Sequence, residues 1–467
     1  PKPQTPNPKP LEKVIEVSPG RLWTNRLIFP KFKFGEKTID RFPAMSESTE
    51  GSLATRYREI CDKKGIRINR ELFLMLEGVP AEGEISISYV GKSARLFSHR
   101  LTDGDSIALA KLFVPVASRI AHLDFSNNNL GLPAMETLAE LFPRCENLVS
   151  LNLQYNEIGP EGCKKLLTAL VALRQKHPSS KLEYLNLEGC RVKTEGLLRV
   201  SREEILFEGA RSLVSELLEN NSSLREFNLG ENELEEVGLI ELCSQLHPAM
   251  NFCSLAVLNL EGLDVKIFSE ESAFELSKVV KNNSSLEKLS LSKCRLPDES
   301  LIILLKELAN TKDSRSCLKV LDLSANKFTY LSCDILGQYL KRPECSLESL
   351  FLNHNKLGEN GAKLLADALE INRSIVFLNL NYCDINERGL LHIRSMLEAN
   401  SVIISLQLFW NHFGPTAIKE FYNLLKKNLK ISLDFAVESD YLDFKIFELN
   451  EEISPLVYVK KPHFLPC

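Results

Sequence analysis

One phrase sets the terms for this chain. LVSLNLQYNEIGPEGCKKLLTAL at residues 148–170 returns as LESLFLNHNKLGENGAKLLADAL at residues 347–369, with its apolar positions, its Asn and its closing leucines in register. The shared pattern is LxxLxLxx(N/C)xL followed by leucines at helical spacing. Its fourth-position anchors are Leu123, Leu151, Leu185, Phe227, Leu258, Leu289, Leu321, Leu350, Leu378 and Leu406. They stand 28, 34, 42, 31, 31, 32, 29, 28 and 28 residues apart. Ten copies therefore occupy residues 120–428. A degenerate unit precedes them over residues 95–113, and a last strand is expected near residues 431–435.

Each fixed letter has a physical reason. LxL puts two side chains on one face of a short strand, pointing into a core. Asn128, Asn156, Asn232, Asn326, Asn355 and Asn411 can bond backbone groups where each strand ends, and Cys190, Cys294 and Cys383 take that slot elsewhere. Leu263 stands there in the fifth copy, which predicts a looser turn. One strand and one helix cannot bury their apolar faces alone, so neighbouring copies must stack into a parallel sheet with helices outside. Helices are wider than strands, so the α/β stack is expected to curve into a horseshoe with its strands on the concave face. Units of about 28 residues with full helices resemble the ribonuclease-inhibitor class of leucine-rich repeats. The resemblance covers about two-thirds of the chain. It implies the fold and a role in binding proteins.

The segments outside the repeats are of another kind. Residues 1–50 open on PKPQTPNPKP, which is polyproline-like. RLWTNRLIFPKFKF then sets Trp23, Phe29, Phe32 and Phe34 among Arg21, Arg26, Lys31 and Lys33. Residues 1–45 carry nine Lys/Arg against four Asp/Glu, a net of +5, which leaves the remainder near −10 of the total −5. Such a basic arm can strap onto its own fold or dock on an acidic partner. Residues 51–119 read as a helical cap with a degenerate first repeat, and residues 429–467 as a C-terminal cap and tail. An insert near SREEILFEGARSLVSELL lengthens the unit after Leu185.

Nothing in the pattern supports catalysis. There is no GxxxxGK[ST], GxGxxG, HExxH or GxSxG, so no cofactor is expected, and the twelve cysteines show no CxxC pair for a metal. His122, Asp124 and Ser126 resemble a triad only as alternate residues of one strand. A GTPase-activating protein for the Ran GTPase shares this repeat class, but that family's long acidic tail has no counterpart in KKPHFLPC. A negative net charge opposes nucleic acid or anionic membrane as a partner. Scattered thiols expected to be buried, with no signal peptide and no long apolar run, point to a cytoplasmic protein.

Function must then lie in the variable letters. The centres of LxL, namely Asp124, Asn152, Asn186, Asn228, Asn259, Ser290, Asp322, Asn379 and Gln407, read as a hydrated ladder, with Phe351 the exception. Phe351, Phe377, Tyr382, Phe409 and Trp410 gather in three adjacent units beside His354 and His412. At about 4.8 Å between strands they are expected to form one exposed patch that binds a partner or is covered by the C-terminal segment. A second candidate pairs Tyr155 with Tyr184 among Glu183, Glu188, Glu226 and Glu231. The expected whole is a non-enzymatic scaffold within a larger assembly. YREICDKKGIRIN and ISYVGKSARLFSHRLTDGD resemble the heads of leucine-rich-repeat proteins of testis and cilia, which implies an axonemal or, alternatively, a nucleolar role. An enzyme inhibitor or regulator would use the same surface.

Overall fold

The computed structural model describes residues 52–197, 213–220, 223–246, 254–263, 268–310, 316–426, 431–440 and 443–448. These fall into two compact units, divided after Lys327. Both have the α/β architecture that the repeat predicts, a parallel sheet whose successive strands are joined through helices.

The first unit opens with helices α1 (Leu53–Lys64) and α2 (Arg70–Glu77), started by Ser52 and Asn69, whose side chains accept amide hydrogens of the first turn. Strand β1 (Ile85–Ser88) and helix α3 (Asp103–Phe113) make the first strand–helix unit. Thr102 and Asp105 begin α3 with a reciprocal capping box. Strands β2 (Ile120–Asp124), β3 (Ser150–Asn152), β4 (Tyr184–Asn186), β5 (Glu226–Asn228), β6 (Val257–Asn259), β7 (Lys288–Ser290) and β8 (Val320–Asp322) follow, each parallel to the one before. Helices α4 (Leu132–Leu138), α5 (Gly159–Lys176), α6 (Lys193–Leu197), α7 (Leu213–Asn220), α8 (Glu236–Gln245), α9 (Glu270–Asn282) and α10 (Asp298–Asn310) alternate with them. The insert after Leu185 lies partly outside the described residues, as do residues 264–267 beyond Leu263.

The second unit repeats the scheme. Helices α11 (Tyr330–Leu340), α12 (Gly358–Leu369), α13 (Glu387–Ala399) and α14 (Pro415–Lys426) alternate with strands β9 (Ser349–Phe351), β10 (Phe377–Asn379), β11 (Ser405–Gln407) and β12 (Ser432–Leu433). An antiparallel hairpin, β13 (Phe435–Asp440) and β14 (Asp443–Glu448), packs against α14. Phe413, Phe421 and Phe435 meet edge-on with ring centroids 5.1–5.7 Å apart.

Every anchor is within 1 % of full burial, and at about 1.5–3 kcal/mol for each buried leucine or phenylalanine these ten residues carry much of the fold. The Asn slot then ties each copy to the one before it. Asn156 Nδ2 donates to the carbonyls of Leu153 and, one copy back, Phe125, both at 2.8 Å, and its Oδ1 accepts the Leu130 amide at 3.1 Å. Asn232, Asn326 and Asn411 repeat the arrangement. A cysteine in that slot reproduces its donations to the preceding copy and to the carbonyl two residues back. The thiols of Cys190, Cys294 and Cys383 donate to the preceding copy's carbonyl at Leu153, Leu260 and Leu352, over 3.0, 3.1 and 3.2 Å. Burial, aided by neighbouring negative charge, lifts these thiols well above their ordinary range, so they are held as donors and not as nucleophiles.

Candidate functional site

The centre of LxL does not form the hydrated ladder that the sequence suggests. Asn186, Asn228, Asn259, Ser290, Asp322, Phe351, Asn379 and Gln407 are all buried, with Asn228, Ser290 and Asn379 at 0 % exposure. The reason is local. In eight copies this side chain accepts the amide of the residue two positions on, as in Asn152 with Gln154, Asn186 with Glu188 and Asn379 with Asn381, at 3.0–3.1 Å. Asp124, Asn228, Asn259, Ser290 and Asp322 do the same. Each is an Asx-type turn that bends the chain out of its strand. The two exceptions are instructive. Phe351 cannot accept a hydrogen bond and packs on Phe377 instead, ring centroids 4.8 Å apart. Gln407 leaves the amides of Leu408 and Phe409 to Asp434, whose carboxylate accepts both, at 2.9 and 3.2 Å.

The surface belongs to a different position, the residue just before the Asn/Cys slot. It has positive φ wherever it is not glycine: Asn127, Tyr155, Glu231, Lys293, Ala325, His354, Tyr382 and Trp410 lie between 37° and 58°. Gly189 and Gly262 take the same conformation at 62° and 65°. Left-handed backbone turns the side chain out along the strand ends, at a cost of roughly 1–2 kcal/mol for each non-glycine residue. Successive copies thus build a column of exposed side chains in each unit.

In the second unit the column is aromatic. The His354 and Tyr382 rings stack at 4.3 Å and 12°, and those of Tyr382 and Trp410 at 5.2 Å and 9°. Phe409 meets Trp410 edge-on at 5.3 Å. Tyr382 and Trp410 are 41 % and 38 % exposed. His354 is exposed as well, Phe409 half-buried, and partial burial lowers the His354 pKa. Phe351 and Phe377, at 6 % and 1 %, are buried. The expected five-ring patch is thereby corrected: two of its aromatics are buried, and His354 joins those that form the surface. His412 pairs with Asp384 at 2.8 Å nearby.

In the first unit the column is charged. A Cβ on Gly189 would come within 2.3 Å of the Tyr155 ring, so glycine lets that ring lie flat across the next copy. Its hydroxyl then stands 2.8 Å from both Glu188 Oε1 and Glu231 Oε2. Burial and these two carboxylates push the phenol far above its usual range. Lys293 closes the row against Glu261 at 2.7 Å and Glu231 at 3.5 Å. The expected Tyr155–Tyr184 surface is also corrected, since Tyr184 is 8 % exposed and its hydroxyl accepts from Asn186 Nδ2 at 3.0 Å. Glu226 lies between Tyr184 and Val257 in register. Its Oε2 is buried without a hydrogen-bond partner. Burial lifts its pKa to about 7, with Lys288 pulling the other way.

The triad-like residues show no such arrangement. Asp124 holds the Ser126 amide at 3.0 Å, and His122 Nε2 lies 3.7 Å from Glu84. Trp23, Phe29 and Phe32 lie outside the described residues. No group of three or more potential metal ligands converges among the described residues, nor is any described helix long and apolar enough to cross a membrane.

Comparison with known proteins finds the same kind of repeat in the sequence. A family model described as "Leucine Rich repeat" matches residues 144–167, 179–201, 220–243 and 345–366. Human NACHT, LRR and PYD domains-containing protein 12 is 27 % identical over 281 residues, covering 55 % of this chain and 24 % of that protein. The ribonuclease inhibitor of Sus scrofa is 28 % identical over 284 residues, covering 58 % of this chain and 60 % of that one. The chain thus spans about a quarter of the NACHT-containing relative's length. Among solved structures, the yeast Rad7–Elc1 complex matches 77 % of this chain and 88 % of its own at 15 % identity and a TM-score of 0.39.

Proposed function

We propose that this chain of ribonuclease-inhibitor-like leucine-rich repeats is a non-enzymatic scaffold that binds proteins through the exposed columns at its strand ends. The observation that carries this reading is the His354–Tyr382–Trp410 stack. Stacking and left-handed backbone fix three large rings in place before any partner arrives, so little side-chain entropy is lost on binding. Tyr and Trp are also the residues that dominate interface energies.

Within that reading, the head segments that resemble testis and cilium proteins favour a structural place in an axonemal assembly such as a radial spoke. The similarity to a protein named for inhibiting a ribonuclease supports a second reading, a stoichiometric regulator of an enzyme. The two differ in partner and share a surface.

The test is affinity capture with mass spectrometry from ciliated-cell or testis lysate, comparing wild type with Tyr382→Ala/Trp410→Ala at matched circular dichroism. Truncating a true anchor costs about 2 kcal/mol, roughly thirtyfold in affinity. Partners lost from the variant and retained by a Lys419→Ala control are expected. An unchanged set of partners overturns the reading.

A further inference from the structure

The link between β1 and α3 departs from the repeat. The Gly91 amide donates to the Ser126 carbonyl at 2.9 Å, as the Asn127 amide does to Gln154 at 2.7 Å, which aligns Gly91 with the exposed column. The Leu101 amide donates to Asn128 Oδ1 at 2.8 Å, as the Leu130 amide does to Asn156 Oδ1 at 3.1 Å. Between β2 and α4 only Asn128 and Asn129 separate these two landmarks. Between β1 and α3 the whole of residues 92–100 does. Insertions of this kind fall on one face of a repeat stack, often its binding face.

The inserted loop is pinned to its surroundings. Tyr89 Oη and Asn69 Nδ2 donate to the His99 carbonyl at 2.7 and 3.0 Å, and the Leu96 and Phe97 amides both return to the Ser93 carbonyl at 3.0 Å. Arg95 pairs with Glu71 at the start of α2. Phe97 is nevertheless 63 % exposed, the highest value of any large apolar side chain among the described residues. The Arg100 guanidinium carbon lies 4.5 Å from the centroid of its ring. Residues 67–71 and 91–100 meet through Asn69 and His99. They hold Arg67, Arg70, Lys92, Arg95 and Arg100 against Glu71 alone, a net of +4. Arg67, Arg70 and Lys92 are exposed.

A ring held in place among cations has the composition of an interface core, where Phe and Arg are enriched. Its charge selects for carboxylates. A single ring offers too little apolar area to hold a bilayer. We propose that the loop of residues 92–100 docks a carboxylate-rich segment of another protein, with Phe97 packed on apolar residues of that segment and Arg67, Arg70 and Lys92 paired with its acidic side chains. This surface lies on the first unit and uses no residue of the aromatic column.

Selection of a phage-displayed library of random dodecapeptides on the full chain tests this. Selected clones are expected to be rich in Asp and Glu beside an apolar residue. As synthetic peptides they are expected to bind Phe97→Ser, and separately Arg67→Ser/Lys92→Ser, about tenfold or more weakly than wild type. Fluorescence anisotropy at matched circular dichroism gives these affinities, and added salt weakens the wild-type complex. Tyr382→Ala/Trp410→Ala leaves them unchanged, so this proposal and the column reading fail separately. A selection without acid-rich clones, or acid-rich clones indifferent to either loop variant, overturns the proposal. Phe97-dependent sedimentation with phosphatidylserine vesicles in place of peptide binding overturns it as well and assigns the loop to a membrane.

Discussion

Asp322 shows what a single letter of the repeat does. It stands where Asn152, Asn186, Asn228, Asn259 and Asn379 stand, and its carboxylate accepts the Ser324 amide at 2.9 Å just as their amide oxygens do. It is also buried, and desolvation lifts its pKa to about 6 although Ser324 bonds the charged form. Asparagine keeps the acceptor and drops the charge. Asp322→Asn is therefore expected to raise stability at pH 8 by about 1–3 kcal/mol, read as a higher urea midpoint at unchanged slope. A lower midpoint would mean that the negative charge is itself required. At the same scale, the sequence announced the leucine anchors, because burial follows directly from apolar periodicity. It did not announce the buried centres. Asn between two leucines reads as surface, and only neighbouring copies about 30 residues away cover it. The signal was present in residue type, since Asn, Asp and Ser are the side chains that cap an amide two positions on.

At the scale of the element, strand-end turns are held by two kinds of donor. A ladder asparagine such as Asn156 makes four bonds, three donated and one accepted. A ladder cysteine gives only weak donations, to the preceding copy and to the carbonyl two residues back. Asn156→Ala is expected to cost about 2–4 kcal/mol, since it leaves buried carbonyls and an amide unpaired. Cys383→Ala is expected to cost about 1 kcal/mol, the loss of a small apolar group and a weak donor. Thermal unfolding of the two variants checks this, and equal costs would show that the slot matters only for its volume. The motif's N/C alternative made the slot legible. The column beside it was less so. Trp410 and Tyr382 were visible as aromatics, but nothing in the string distinguishes a ring lifted by left-handed backbone from Phe377, which is buried. His354 passed as a bystander because a stack requires the ring one copy away.

At the scale of the whole molecule, the raised carboxylates act together. Asp322 and Asp434 are lifted to about 6 and Glu226 to about 7, each chiefly by burial. A folded-state pKa above the unfolded value means that the native chain binds protons more tightly than the unfolded one. The stability contributed by protonation is fully present below the unfolded carboxylate range. It is lost as pH rises through 6 to 7. Thermal midpoints are thus expected to fall between pH 5 and pH 8, by an amount that shrinks when Asp322 is replaced by Asn. A midpoint that rises over this range would show that other groups dominate.

The stack of His354, Tyr382 and Trp410 has a further consequence. Its ring spacings of 4.3 and 5.2 Å bracket the distance between adjacent strands, so the backbone sets the interval and the side chains mark it. The column is in effect a ruler graduated once per repeat. Unequal recombination within such a gene adds or removes whole graduations, and every mark beyond the event moves by one step while the interval is preserved. Variation in repeat number then alters which marks a partner meets, and leaves the scale on which they are read intact.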